Sequence, residues 1–302
     1  MPDIRVLKQF LHLSESLHFG RSSEALHVSP STLSRAIARL EESVGAPLFE
    51  RDNRTVALTD AGRACRLFAQ DTVGAWQTLK AEVRAKPGEL TGRIRIYCSV
   101  TASYAVMATI LSEFRQQYPG VEVLLKTGDA TFGVDKTLDQ EVDLAVAPKP
   151  DYFPGQLVFQ PVTKTPLVFI APVIDCPVKA LVSKSPINWA TVPLVLPEVG
   201  LSRKRVDAWF KKAGLTPKIQ AEVAGHEAIV SMVGLGIGIG VIPELVLDQN
   251  PMAKNITALH DAPKLPDYNV GVVVLEKKLK DPVIRAFWDV TQAVSQVNTI
   301  RD

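Results

Sequence analysis

Cysteine is scarce: Cys65, Cys98 and Cys176 are the whole supply in 302 residues. An odd, scattered set excludes a disulfide framework and a cysteine-based zinc site, and it suits a reducing cytosol. Long apolar runs are also missing. No stretch reaches the roughly 18–20 residues that a membrane span needs, so no membrane partner is expected. The opening residues 1–13 include Asp3 and lack a small-residue cleavage pattern, which argues against a secretory signal. Neither sign of charge dominates, since 34 Lys and Arg stand against 32 Asp and Glu for a net charge of +2. Whole-chain charge therefore neither demands nor forbids nucleic acid. The catalytic and cofactor spacings GxSxG, HExxH, the Walker lysine and the EF-hand are absent as well. No enzyme activity, cofactor or metal is expected. What the chain does have is 46% apolar residues, enough to bury cores in two or three domains and to exclude a disordered tail.

The first sixty residues read as three short helices and a hairpin. Leu7, Phe10 and Leu11 form one apolar stripe, broken at Phe19 and Gly20. A short second helix follows with Ala25 and Leu26 inward. Ser29 before Pro30 is a strong helix start, because serine caps and proline suits the first helical position. Leu33, Ile37, Leu40 and Val44 then mark an inner face, and Gly45 a stop. On the opposite face Ser31, Ser34, Arg35 and Ala38 line up, with Arg39 beside them. Such a face is either a solvated surface or one that meets phosphates and base edges. Pro47-Leu48-Phe49, the turn Arg51-Asp52-Asn53-Arg54, and Val56 with Leu58 read as a β-hairpin, completing a winged helix-turn-helix. Residues 1–62 carry seven Lys and Arg against eight Asp and Glu, so any DNA affinity must come from local sorting of charge and from two copies acting together.

Thr59 is placed to cap a long helix from Asp60 to about Lys86. Ala61, Cys65, Phe68, Thr72, Ala75 and Leu79 follow heptad-like steps along it. They form either a dimerising seam or a face packed on their own domain, and the seam is preferred. Pro87-Gly88 marks a hinge. From residue 90 strands and helices alternate, which predicts an α/β region with a mostly parallel sheet. Strands are expected at 94–98, 121–126 and 144–147, and in a second block at 157–159, 168–171 and 194–196. Val270–Leu275 is a late strand.

Ligands in open α/β sheets bind at strand ends and helix starts. Four loops qualify: Ser99-Val100-Thr101, Thr127-Gly128-Asp129, Gly200-Leu201-Ser202-Arg203 and Gly225-His226-Glu227. Each is an ordinary cap when taken alone; their conjunction suggests a carboxylate site. The run Gly234-Leu235-Gly236-Ile237-Gly238-Ile239-Gly240 fails the GxGxxG pattern at Ile239 and follows a helix. It reads as a tight crossover between packed elements.

These residues resemble the LysR-type transcriptional regulators. The match rests on Phe10-Leu11, Ala25-Leu26-His27-Val28-Ser29, Leu33-Ser34-Arg35-Ala36-Ile37, Leu40-Glu41-Glu42, Pro47-Leu48-Phe49 and Leu58-Thr59. Leu90-Thr91-Gly92, Asp143-Leu144-Ala145 and Gly234-Leu235-Gly236-Ile237-Gly238 extend it along most of the chain. The resemblance implies a winged helix-turn-helix DNA-binding domain over 1–60 and a linker helix over 61–88. It also implies a two-lobed effector domain like a periplasmic binding protein over 89–302, with lobe I at 89–162 and 267–302 and lobe II at 163–266. It further implies a cytoplasmic homodimer or dimer of dimers acting on double-stranded DNA with RNA polymerase.

Pro30 departs from a family position where glutamine is frequent, so Ser31, Thr32 and Arg35 become the base-reading set, with Pro30, Ser34 and Arg39 beside them. Arg51, Asn53 and Arg54 are expected to serve the wing. Further stretches resemble a branch of the family that controls branched-chain amino acid biosynthesis through acetohydroxy acid isomeroreductase. They include His18-Phe19-Gly20-Arg21, Cys98-Ser99-Val100-Thr101, Thr127-Gly128-Asp129 and Gly225-His226-Glu227-Ala228. That likeness implies activation in response to acetolactate or acetohydroxybutyrate, bound by Ser99, Val100, Thr101, Thr127, Gly128, Ser202, Arg203, His226 and Glu227. A family member tuned to another small organic acid, and an enzyme or solute-binding module with an appended helix-turn-helix, stay as alternatives.

Overall fold

The computed structural model describes residues 3–51, 55–84 and 89–299. The chain divides into two compact units, residues 1–92 and 93–302.

The first unit opens with α1 (Ile4–Ser16), α2 (Phe19–Ala25) and α3 (Pro30–Val44). A hairpin follows, in which β1 (Phe49–Arg51) pairs antiparallel with β2 (Val56–Leu58), and then α4 (Asp60–Arg84). Leu7, Phe10, Leu13, Leu33, Ile37, Leu40, Leu48 and Phe49 form its core with Cys65, Ala69 and Val73 of α4. The start of α3 follows the serine–proline logic: the Ser29 side chain accepts the Thr32 N–H and Pro30 stands in the first turn. Its end is Gly45 at φ +80, a left-handed position where a side chain costs energy. Thr59 closes the next boundary, its hydroxyl accepting the Gly62 N–H at 2.9 Å and donating to the Pro47 carbonyl at 2.7 Å.

Three expectations are corrected here. Phe19 and Gly20 begin α2 rather than interrupt a helix, because His18 caps it by accepting the Arg21 N–H at 3.1 Å. α2 buries Ser22 and Ser23, while Ala25 is exposed. Val44 is exposed, since the C-terminal end of α3 runs past the edge of the core.

In the second unit the first sheet has the order β4-β3-β5-β12-β6. Its strands are β3 (Gly92–Cys98), β4 (Val121–Thr127), β5 (Leu144–Pro148), β6 (Leu157–Thr165) and β12 (Tyr268–Leu275). Helices α5 (Val100–Ala105), α6 (Met107–Gln117), α7 (Gly133–Leu138) and α12 (Pro282–Thr299) belong to this lobe. The second sheet has the order β11-β7-β10-β8-β9. It is built from β7 (Leu167–Pro172), β8 (Pro193–Pro197), β9 (Lys218–Val223), β10 (Ile239–Pro243) and β11 (Ile256–Ala258). Its helices are α8 (Pro177–Val182), α9 (Leu201–Lys212), α10 (His226–Gly234) and α11 (Glu244–Gln249).

The sheets are mixed rather than mostly parallel. Parallel pairing joins β3 to β5, and β8 to both β9 and β10. β12 runs antiparallel to β5 and β6, and β7 antiparallel to β10 and β11. The cause is the connectivity. β6 passes from one sheet directly to β7 in the other with no crossover helix, and β12 returns between β5 and β6. A strand that enters without a crossover helix is free to pair antiparallel. β6, expected in the second block, thus belongs to the first sheet.

The glycine-rich run is a strand as well as a crossover. Ile239 and Gly240 open β10, whose five residues are all buried. A Cβ at Gly240 would collide with Ile229 of α10, and one at Gly238 would lie 2.7 Å from the Pro193 carbonyl oxygen, so helix and strand pack only because these side chains are missing.

Candidate functional site

The exposed face of α3 is the first candidate. Pro30, Ser31, Thr32, Arg35 and Arg39 are exposed, and Ser34 is partly buried. The hydroxyls at its start bond one another: Ser29 to Ser31 at 3.0 Å and Ser29 to Thr32 at 2.7 Å. Arg35 folds back, its Nε donating to the Ser31 carbonyl at 3.2 Å. A planar guanidinium on an exposed helix, held by a backbone oxygen of its own turn, is free to swing towards a paired acceptor such as guanine. Glu41, further along α3, is engaged by the hairpin. Its Oε1 accepts the N–H groups of Leu48 (2.9 Å) and Phe49 (3.3 Å), fastening the end of α3 to the hairpin. That structural duty was invisible in the sequence, where Glu41 counts as an acid and as part of the family match. Of the wing residues, the backbone of Arg51 lies in β1, whereas its side chain, Asn53 and Arg54 lie outside the described residues, as does the Pro87-Gly88 hinge.

α4 uses two faces. Cys65, Ala69 and Val73 are buried in the core of its own unit. Phe68, Trp76, Leu79 and Val83 remain exposed, Val83 by 78%. Of the expected seam, Cys65 turns inward, Ala61 and Thr72 are partly buried, and Phe68, Ala75 and Leu79 face out.

The second candidate is a cleft in the second unit, between its two lobes. It holds about 400 Å³ of space, its solvent-filled mouth included, and Ser99, Thr101, Thr165, His226 and Tyr268 supply its polar lining. Ala102, Ala130, Val146, Ala147, Pro148, Pro243, Leu245, Val246 and Val270 supply apolar walls. Two of the four expected loops, Ser99-Val100-Thr101 and Gly225-His226-Glu227, contribute to its lining, and hydrogen bonds join the other two to the second of these. The Thr101 N–H and hydroxyl both donate to Glu227 Oε1, at 3.0 and 2.6 Å. The Gly225 N–H donates to Asp129 Oδ2 at 3.1 Å. Ser202, from the Gly200-Leu201-Ser202-Arg203 loop, lies 3.2 Å from His226 Nε2 and is 2% exposed. Gly200, at φ +103, touches Thr131 so closely that any Cβ would overlap its hydroxyl.

Not every expected residue faces the cleft. Ser99 does line it, but its oxygen caps α5 by accepting the Ala102 N–H at 3.1 Å. Val100 is 47% exposed and is not in the lining. Thr127, Gly128, Ser202 and Glu227 are absent from the lining; the Tyr97 ring packs against Gly128, Ser202 reaches the cleft through His226, and Glu227 through Thr101. Arg203 is tied up by Asp207 at 3.0 Å, by Glu222 and by the Pro197 carbonyl at 3.1 Å. Tyr268, Thr165 and the apolar wall were missed. An aromatic residue opening the last strand was the signal for Tyr268; nothing local marked Thr165, whose hydroxyl accepts the Leu245 N–H at 3.1 Å.

Burial sets the protonation of the cleft. Desolvation pushes the His226 imidazole below its ordinary pKa, and the nearby Asp129 and Glu227 charges partly oppose it. The Tyr268 phenol is pushed up, chiefly by burial, while hydrogen bonding to Ser202 and the Arg205 charge pull the other way. Arg205 itself donates to the carbonyls of Pro266 and Asp267 at 2.7 and 2.8 Å. The cleft therefore presents neutral hydrogen-bonding groups between apolar walls, with no Lys or Arg among its described lining residues.

Residues 4–63 match the model of the bacterial regulatory helix-turn-helix proteins of the lysR family, and residues 87–296 match the LysR substrate binding domain. The chain is 45% identical to the HTH-type transcriptional regulator IlvY of Escherichia coli (strain K12), over 95% of this chain and 98% of that one. It is equally 45% identical to the HTH-type transcriptional activator IlvY of Salmonella typhimurium, over 95% of this chain and 99% of that one. Among solved structures, a full-length point variant of OxyR from Pseudomonas aeruginosa is similar in fold, with a TM-score of 0.64 at 20% identity, over 97% of this chain and 96% of that one. Among the described residues no helix is long and apolar enough to cross a membrane.

Proposed function

The chain belongs to the LysR family of transcriptional regulators, and from that premise we propose that it activates the gene for acetohydroxy acid isomeroreductase in response to acetolactate or acetohydroxybutyrate. The observation that carries the effector class is the cleft. A small acid with hydroxyl, keto and methyl groups needs a few neutral donors and acceptors on one side and apolar wall on the other. Thr101, Ser99, His226 and Tyr268 meet the first need, and Ala102, Ala130, Val146 and Leu245 the second. His226 serves the keto or hydroxyl group as a neutral imidazole, which burial favours.

The exposed surfaces carry the remaining roles. Ser31, Thr32 and Arg35 enter the major groove of double-stranded DNA, with Pro30, Ser34 and Arg39 at its edge and Arg51, Asn53 and Arg54 on the wing. The exposed side of α4 pairs with a second copy, because Phe68, Trp76, Leu79 and Val83 leave an apolar stripe uncovered. Two such dimers and RNA polymerase then act on one promoter in the cytoplasm. The effector works through differential affinity for two arrangements of the oligomer on DNA.

A thermal-shift screen of small organic acids against the purified chain tests the assignment. Acetolactate and acetohydroxybutyrate should raise the melting temperature more than other acids of the same size. A larger shift with an unrelated acid would keep the regulator and replace the effector.

A further inference from the structure

We propose that the Glu227 carboxylate, from just outside the cleft lining, holds the two Thr101 donors that an acidic effector must take over. The inference rests on the reading above that the effector is a small carboxylic acid bound at Thr101. Thr101 is 3% exposed, and both its donors converge on one oxygen, Glu227 Oε1. A carboxylate oxygen taking an N–H and an O–H together is the contact that a ligand carboxylate would make there. The two residues stand 126 positions apart, Thr101 on α5 of one lobe and Glu227 in the first turn of α10 of the other. The contact is thus also a tie between lobes.

The cleft offers no cation among its described lining residues that could hold a second carboxylate beside the first. The arginines of α9 are committed, Arg203 to Asp207 and Glu222, and Arg205 to backbone carbonyls and to the Tyr268 ring, over which it stacks at 5.1 Å. Two carboxylates at one neutral donor pair repel, so entry of an acid is an exchange. The arriving carboxylate takes the Thr101 N–H and O–H, the Glu227 side chain swings away, and α10 loses a tie to α5. The Gly225–Asp129 hydrogen bond and the close Gly200–Thr131 contact stay in place as the axis about which the lobes readjust. Exchange makes the cleft selective: a neutral molecule of the same shape gains nothing by evicting a carboxylate. It also links occupancy to lobe position, because binding is what removes the tie.

The test is isothermal titration of acetolactate into the full-length wild-type chain and its Glu227→Ala, Glu227→Gln and Thr101→Val variants. Hydrogen exchange at the Thr101 amide in each free protein accompanies the titration, and melting curves establish that each variant folds. Removing the competitor should tighten binding about tenfold in Glu227→Ala, a usual size for a coupling of this kind. Glu227→Gln, neutral but still an acceptor, should fall between Glu227→Ala and wild type, and it replaces the alanine variant if that one does not fold. The Thr101 amide should exchange faster in free Glu227→Ala than in free wild type. Thr101→Val should bind more weakly than wild type. Equal or weaker binding by the Glu227 variants, with Thr101→Val still impaired, would overturn the exchange and leave the site. Unchanged binding by Thr101→Val, or no binding of acetolactate by any chain, would overturn the effector reading and the exchange together.

Discussion

The exposed face of α3 and the cleft of the second unit handle polar groups in opposite ways. On α3 the hydroxyls and the guanidinium are satisfied within four residues: Ser29 by Ser31 and Thr32, Arg35 by Ser31. In the cleft the decisive contacts span the chain, from Thr101 to Glu227, from Asp129 to Gly225 and from Thr165 to Leu245. Local satisfaction leaves an exposed surface that reorients cheaply when DNA supplies better partners. Long-range satisfaction ties two lobes, so a ligand that intrudes on it changes the arrangement of elements far apart in sequence. The first suits a reader and the second a sensor.

The largest test of this contrast lies beneath the reading face. Phe10 is fully buried and packs edge-on against Phe49, with ring centroids 5.5 Å apart. Phe10→Ala should destabilise the first unit by about 3–5 kcal/mol. Calorimetry should show an early transition of that unit with the melting of the second unit retained; a joint shift of both would break the picture of two separately packed bodies. On the face itself, Arg35→Ala should weaken operator binding by about 1–3 kcal/mol in a gel-shift titration at fixed salt. Unchanged affinity would remove Arg35 from the reading set. Ser29→Ala loses the cap of α3 and should cost about 1 kcal/mol, visible as a lowered melting temperature of the first unit.

The smallest effect belongs to the cleft and depends on pH. His226 has its folded pKa lowered by burial, so below the unfolded value of about 6.5 the unfolded chain takes up a proton that the folded chain resists. Stability attached to His226 is therefore full above that value and falls as the pH drops below it. His226→Gln should flatten the decline of the melting temperature between neutral and mildly acid pH. An identical slope in the variant would mean that His226 ionises as freely in the folded chain as in the unfolded one.

The same contrast explains what could be read from sequence. The start and stop of α3 were legible because Ser29, Pro30 and Gly45 act on their immediate neighbours. The loops at Ser99–Thr101, Gly200–Arg203 and Gly225–Glu227 could be named as caps for the same reason. That they meet could be suspected, but their pairing could not be read. Whether Ser99 or Thr101 points its hydroxyl at a partner depends on where α10 sits, and that is set by packing such as Gly240 against Ile229. Thr165 had no local mark, because its role comes from the passage of the chain between sheets. Arg203 looked like an anion partner until the fold placed Asp207 and Glu222 beside it. The mixed pairing of the sheets was hidden for a like reason, since alternation of strands and helices does not reveal that the chain passes between lobes after β6 and returns before β12.

At the centre stands the proposal that one molecule reads DNA with its first unit and a small acid with its second. A DNase footprint of the purified chain on the DNA flanking its own gene, with and without acetolactate at fixed salt, tests this most directly. A long protected region is expected, with hypersensitive bands that change when acetolactate is added. Protection that ignores every acid tried would contradict the coupling of cleft to DNA, and no protection at moderate salt would contradict the reading of α3.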